Sequence, residues 1–80
     1  MCAVTAPDQP ALGAAVKAIR DEHGLSQSRV CEATGFTQAW LSEVENGRRN
    51  PSWSNVVRLA GGLGVSVAQL VAHAEQSADA

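Results

Sequence analysis

Aromatic side chains are nearly missing from this 80-residue sequence: Phe36, Trp40 and Trp53 are the whole set, and there is no tyrosine. β-branched runs are short and alanine is frequent. That balance disfavours sheet and favours helix. Long apolar runs are missing too. None approaches the roughly 20 residues of a membrane span, so no membrane segment is expected. The N-terminus carries no basic stretch followed by a long apolar one, so no secretory signal is expected. Cysteine is limited to Cys2 and Cys31, too few and too far apart for a metal-ligand set or a disulfide framework. Reduced thiols and a cytoplasmic, nucleoid-associated location are the expectation. His23 and His73 stand alone, without ligand spacing, and no nucleophile–base pairing or phosphate loop is present. Neither an enzyme nor a cofactor nor a metal is expected.

A basic excess is also lacking. The formal net charge is −2, which by itself argues against a nucleic-acid partner. The charges are unevenly spread, however. Between residues 26 and 58, Arg29, Arg48, Arg49 and Arg58 stand against Glu32, Glu43 and Glu45, a local balance of +1. The remaining residues hold Lys17 and Arg20 against five acids, a balance of −3.

What is present is a short helical domain. The length is enough for one domain with one small core, and a hydrophobic share of 45% is ordinary for a globular protein. Residues 1–8 have no periodicity and read as a flexible arm; residues 9–75 read as the folded domain, and 76–80 as a loose tail. A first helix is expected over 10–23, capped by Asp8, with Leu12, Ala15, Val16 and Ile19 at helical spacing and Gly24 as its stop. Ser26 caps a second helix with Val30, Cys31 and Thr34 inward, and Gly35 ends it. Thr37 caps a third, with Leu41, Val44 and Glu45 on the inner side, and Asn46-Gly47 ends it. Pro51 fixes a turn, Ser52 caps a fourth helix, and Ser66 a fifth with the stripe Val67, Leu70, Val71 and Ala74. Gly61 and Gly62 are poor helix residues, read either as fraying or as a close helix contact. The fold class is therefore all-α, five short helices.

Between Gly35 and Thr37 the chain has no room to reverse into an antiparallel hairpin. The second and third helices must cross at a large angle, which is helix-turn-helix geometry. On that geometry the string Leu25-Ser26-Gln27, Gly35-Phe36-Thr37, Trp40 to Pro51 and Ser52, followed by Leu59-Ala60 and Leu63-Gly64-Val65-Ser66, resembles the phage-repressor-like (Cro-like, lambda-repressor-like) helix-turn-helix family. That family includes the xenobiotic-response-element regulators, and the likeness spans about residues 11–74.

The resemblance implies double-stranded DNA as partner and the third helix as the recognition helix. Gln38, Ala39, Ser42 and Glu43 would face base edges, Gln38 pairing with adenine, Ala39 touching a thymine methyl, and Glu43 either accepting from cytosine or weakening binding. Gln27, Thr37, Trp40, Asn46, Arg48, Arg49 and Asn50 would contact the DNA backbone. For Trp40 core packing competes with that role, and for Arg48-Arg49 a merely solvated loop does. Arg20 on the first helix would pair with Glu45 as a structural ion pair. A transcriptional regulator, a repressor binding a pseudo-palindrome as a homodimer, is the function implied. Trp53, Val67, Leu70 and Val71 are the candidate dimer surface. Two alternatives share the pattern: an antitoxin that also binds a toxin, and a protein-binding module of the same fold, such as one for a co-regulator.

Overall fold

The computed structural model describes residues 9–78, which form five helices: α1 (Gln9–Glu22), α2 (Gln27–Thr34), α3 (Gln38–Glu45), α4 (Trp53–Leu63) and α5 (Val67–Ala78). No strand occurs among the described residues. The expected N-terminal arm, the Asp8 cap and Cys2 lie outside them, as do residues 79 and 80. Helix α5 runs on through Ala78, beyond the end at 75 that the sequence suggests. No glycine or proline follows Ala74 to stop it.

Side-chain caps set the starts. Ser26, Thr37 and Ser52 accept from the backbone N–H groups of Arg29, Trp40 and Asn55 at 3.1, 3.1 and 3.4 Å. Each satisfies one N–H that has no partner within its own helix. Ser66 and Gln69 cap reciprocally: the Ser66 hydroxyl accepts from the Gln69 N–H, and the Gln69 side chain accepts from the Ser66 N–H. The ends of α1, α3 and α4 share one solution. In α3 the Arg48 N–H reaches the Glu43 carbonyl at 2.8 Å and the Gly47 N–H reaches that of Val44 at 3.1 Å. Gly47 sits at φ 73°, a left-handed conformation that glycine adopts without Cβ strain.

Helix α1 packs against α5 and α3, and α2 against α4 and α3. Leu41, Leu59, Leu63, Leu70, Val16, Val30 and Val44 are the largest fully buried side chains. The buried core is aliphatic throughout. Two glycines let helix pairs approach. A Cβ on Gly13 would collide with the carbonyl oxygen of Val44, so α1 and α3 touch backbone to backbone there. A Cβ on Gly62 would collide with the Thr34 methyl, whereas one on Gly61 would meet nothing within 4 Å. Since α4 stays helical through both glycines, Gly62 marks a close contact and neither marks fraying. Thr34 is buried with its hydroxyl satisfied, donating to the Val30 carbonyl at 2.7 Å.

Leu70 requires a correction. The α5 stripe was expected on a subunit surface, yet Leu70 is fully buried within this chain. The stripe that periodicity marks as apolar is the face α5 turns onto α1 and the core, and Val67 also packs against that core. His73 in α5 places Nε2 3.7 Å from the Glu22 carboxylate at the end of α1. No single helix among the described residues is long and apolar enough to cross a membrane.

Candidate nucleic-acid interface

The site is built on α3, two turns of helix with opposite faces. Leu41 and Val44 fix its inner face to the core, and the Glu45 side chain is only 4% exposed. On the outer face Gln38 and Ala39 are exposed and Ser42 and Glu43 half-exposed. Among the described residues, none of the four positions expected to face base edges is buried.

What holds α3 in place is a buried polar cluster. Arg20 on α1 donates to Glu45 through Nε at 2.8 Å and Nη2 at 3.1 Å, one nitrogen to each carboxylate oxygen. This fork geometry is the strong form of an ion pair. Arg20 Nη1 donates to the Leu25 carbonyl at 2.9 Å, tying the α1–α2 turn into the cluster. The hydrogen bond with Glu45 pushes the Arg20 guanidinium pKa above its ordinary value, against the opposing effect of burial. The cluster has a third member that periodicity and spacing did not suggest. Gln27 Nε2 donates to Glu45 Oε1 at 3.0 Å, so the Gln27 amide braces Glu45 from α2 while sitting at the start of that helix.

The outer residues also have partners. Gln38 donates through Nε2 to the Ser28 hydroxyl, bridging α3 to α2. Ser28 was not singled out from the sequence, because only the crossing of the two helices brings positions 28 and 38 together. Asn46 folds back on its own helix, Nδ2 donating to the Ser42 carbonyl at 2.9 Å. Arg49 donates from Nε and Nη2 to Glu43 Oε1 at 3.1 and 2.8 Å. This pairs a residue expected at a phosphate with one expected at a base. Arg48 and Asn50 are exposed, and the Arg48 side chain, unlike its backbone N–H, has no hydrogen bond or ion pair among the described residues. Thr37 is exposed at the head of α3 with its hydroxyl used as the cap.

Beneath the turn, the Trp40 ring stacks on Phe36 with centroids 4.1 Å apart, and the Arg58 guanidinium lies 5.3 Å from the Phe36 centroid. Trp40 is half-buried and packs against the core. The Arg58 contact, a cation–π placement, has no local signal in the sequence. The Cys31 thiol is partly buried on α2. Burial pushes its pKa up, and the nearby Glu45 charge adds to the effect. Trp53 is 68% exposed and Val57 44% exposed on one side of α4, and Val67 and Val71 on α5 are half-buried.

Residues 11–74 match the helix-turn-helix domain family. An uncharacterized HTH-type transcriptional regulator of Sinorhizobium fredii is 42% identical over 59 residues, covering 74% of this chain and 77% of that protein. The immunity repressor protein of Bacillus phage phi105 is 37% identical over 60 residues, which are 75% of this chain and 42% of the repressor. Among solved structures, the clp gene regulator ClgR of Corynebacterium glutamicum superposes with a TM-score of 0.83 at 33% identity, covering 86% of this chain and 90% of that one. The restriction-modification controller protein C.AhdI of Aeromonas hydrophila superposes with a TM-score of 0.74 at 29% identity, covering 78% of this chain and 94% of its own. With a crossed α2–α3 pair, an anchored inner face and these relatives, the chain belongs to the helix-turn-helix domain family.

Proposed function

We propose that this protein is a sequence-specific DNA-binding transcriptional regulator that acts as a repressor, binding a pseudo-palindromic site as a homodimer. The observation that carries this is the two-sidedness of α3. Leu41, Val44 and Glu45 hold it down, while on its outer side Gln38 and Ala39 are exposed and Ser42 and Glu43 half-exposed. A helix held this way fits the major groove by its N-terminal half. Exposed Arg48 and Asn50 follow it in the chain and are assigned to phosphates, and the capped start of α2 adds N–H groups suited to another. The relatives support the reading, since one is named a repressor and others are named gene regulators.

One recognition helix reads only a few base pairs, so useful specificity calls for two copies. With Leu70 committed to the core, the dimer surface is assigned to the outer side of α4. There Trp53 and Val57 stand one helical turn apart and are the large apolar side chains most open to solvent among the described residues. The test is selection of bound duplexes from random DNA using the full chain. Two symmetric half-sites about one helical turn apart are expected. Failure to retain any duplex even near 50 mM salt, where phosphate contacts are strongest, would overturn the function.

A further inference from the structure

We infer that Glu43 and Arg49 act as one element that reads a single C·G base pair, Glu43 taking the cytosine and Arg49 the guanine. This rests on α3 being the recognition helix. A lone carboxylate on a groove-reading face is disfavoured, because duplex DNA carries a negative charge about every 1.7 Å along its axis. Here the carboxylate is not alone. Both Arg49 donors converge on the same oxygen, Oε1. Oε2 of Glu43 and Nη1 of Arg49 have no hydrogen-bond partner among the described residues.

The pair therefore presents a free acceptor, Oε2 of Glu43, together with the free N–H donors of Arg49 Nη1. Both side chains are about half exposed, 46% for Glu43 and 48% for Arg49. The backbone builds this juxtaposition: the bond from Arg48 N–H to the Glu43 carbonyl, at 2.8 Å, turns the chain back over the last turn of α3 and returns residue 49 to Glu43. In the major groove a C·G pair offers the matching pattern, the cytosine N4 amino group as donor and guanine O6 and N7 as acceptors. Thymine and guanine edges put an acceptor where Glu43 needs a donor; an A·T pair also sets a donor beside an acceptor, but C·G sets two guanine acceptors, O6 and N7, on the Arg49 side and so matches the guanidinium better. An exposed ion pair is weakly held in water. The phosphate field favours keeping it closed, since separation would leave the carboxylate bare.

The experiment repeats the selection from random DNA with wild type, Glu43→Ala, Arg49→Ala and the double variant. It then measures affinity on the wild-type consensus duplex and on versions with each other base at the assigned position. Wild type is expected to require a C·G pair at one position of each half-site. Each single variant should lose that preference, on the order of 10-fold in discrimination. Arg49→Ala should bind worst of all, because it exposes the carboxylate, and adding Glu43→Ala should restore affinity. Multiplicative effects in the double variant, or equal loss on every base with the preference retained, would overturn the coupled reading and leave DNA binding standing. Failure of wild type to retain any duplex would overturn both.

Discussion

Gly13 of α1 lies against the carbonyl oxygen of Val44 in α3, with no room between them for a methyl group. The contact is backbone on backbone, so no side-chain rotation can relieve it. Gly13→Ala must push α1 away from α3. The expected loss is on the order of 1–3 kcal/mol of unfolding free energy, as for an overpacked core. A denaturant melt checks it. An unchanged midpoint would mean that α1 and α3 can separate freely.

Adjacent glycines in α4 should respond with opposite signs. Gly61→Ala meets open space in a helix, so it should stabilise by roughly 0.5–1 kcal/mol through higher helix propensity. Gly62→Ala drives its methyl into Thr34 and should destabilise. Paired thermal melts of the two variants would read the difference directly. Shifts of the same sign would contradict the α2–α4 contact.

Breaking the Arg20–Glu45 fork should be the most damaging polar change. Glu45→Ala leaves a largely buried guanidinium without its carboxylate, at a cost of about 3–5 kcal/mol. A domain this small has a core that supplies only about that much net stability, so the variant should be largely unfolded at room temperature. Arg20→Lys should cost less than Glu45→Ala but still destabilise, because an ammonium keeps the charge yet cannot bond both oxygens in parallel. Circular dichroism during urea titration distinguishes the three proteins.

The Cys31 thiol gives a pH signature. Burial favours its neutral form and raises its pKa in the folded state above the ordinary value of about 9. A raised pKa means that its contribution to stability is complete below pH 9 and declines as pH climbs toward the folded value. Cys31→Ala should therefore flatten the alkaline side of the stability curve relative to wild type. Denaturant midpoints between pH 8 and 10.5 would show it; parallel curves would count against burial of the thiol.

The DNA contacts separate by their salt and sequence behaviour. Arg48→Ala should weaken binding about equally on all duplexes and reduce the salt slope by roughly 1 per site, as loss of a phosphate contact does. Gln38→Ala should instead relax preference at one base position, by about 1–3 kcal/mol. Titrations at several salt concentrations, on cognate and scrambled duplexes, test both. Uniform loss for Gln38→Ala would make it a backbone contact.

Much of the fold could be read from the chain because its signals are local. Ser26, Thr37, Ser52 and Ser66 mark the helix starts, and all four serve as caps. Gly24, Gly35, Gly47 and Gly64 mark the ends, all at positive φ. The Arg20–Glu45 pair followed from a family likeness, which encodes a non-local contact indirectly. What stayed hidden depends on how helices meet. Gly13 sits within a helical stripe and looks like a weak helix residue until α3 is packed against it. Leu70 belongs to an apolar stripe whose partner could equally be another subunit, and only the docking of α5 on α1 decides it. The partners of Gln27, Gln38 and Glu43 lie 18, 10 and 6 residues away in sequence, beyond any helical repeat that would flag them.

The tie between Glu43 and Arg49 bears on how such a protein changes its target. Exchanging the outward positions of α3 for those of another regulator would appear to transplant an operator preference whole. On the proposed coupling, one half of the recognition chemistry is lodged outside the helix, four residues past its end. A grafted helix lacking the companion at position 49 would arrive with a stranded charge, and conversely Arg49 left behind would seek a new acceptor. Retargeting this domain therefore demands concerted substitution across the helix boundary, so drift toward a new operator would pass through weakly binding intermediates.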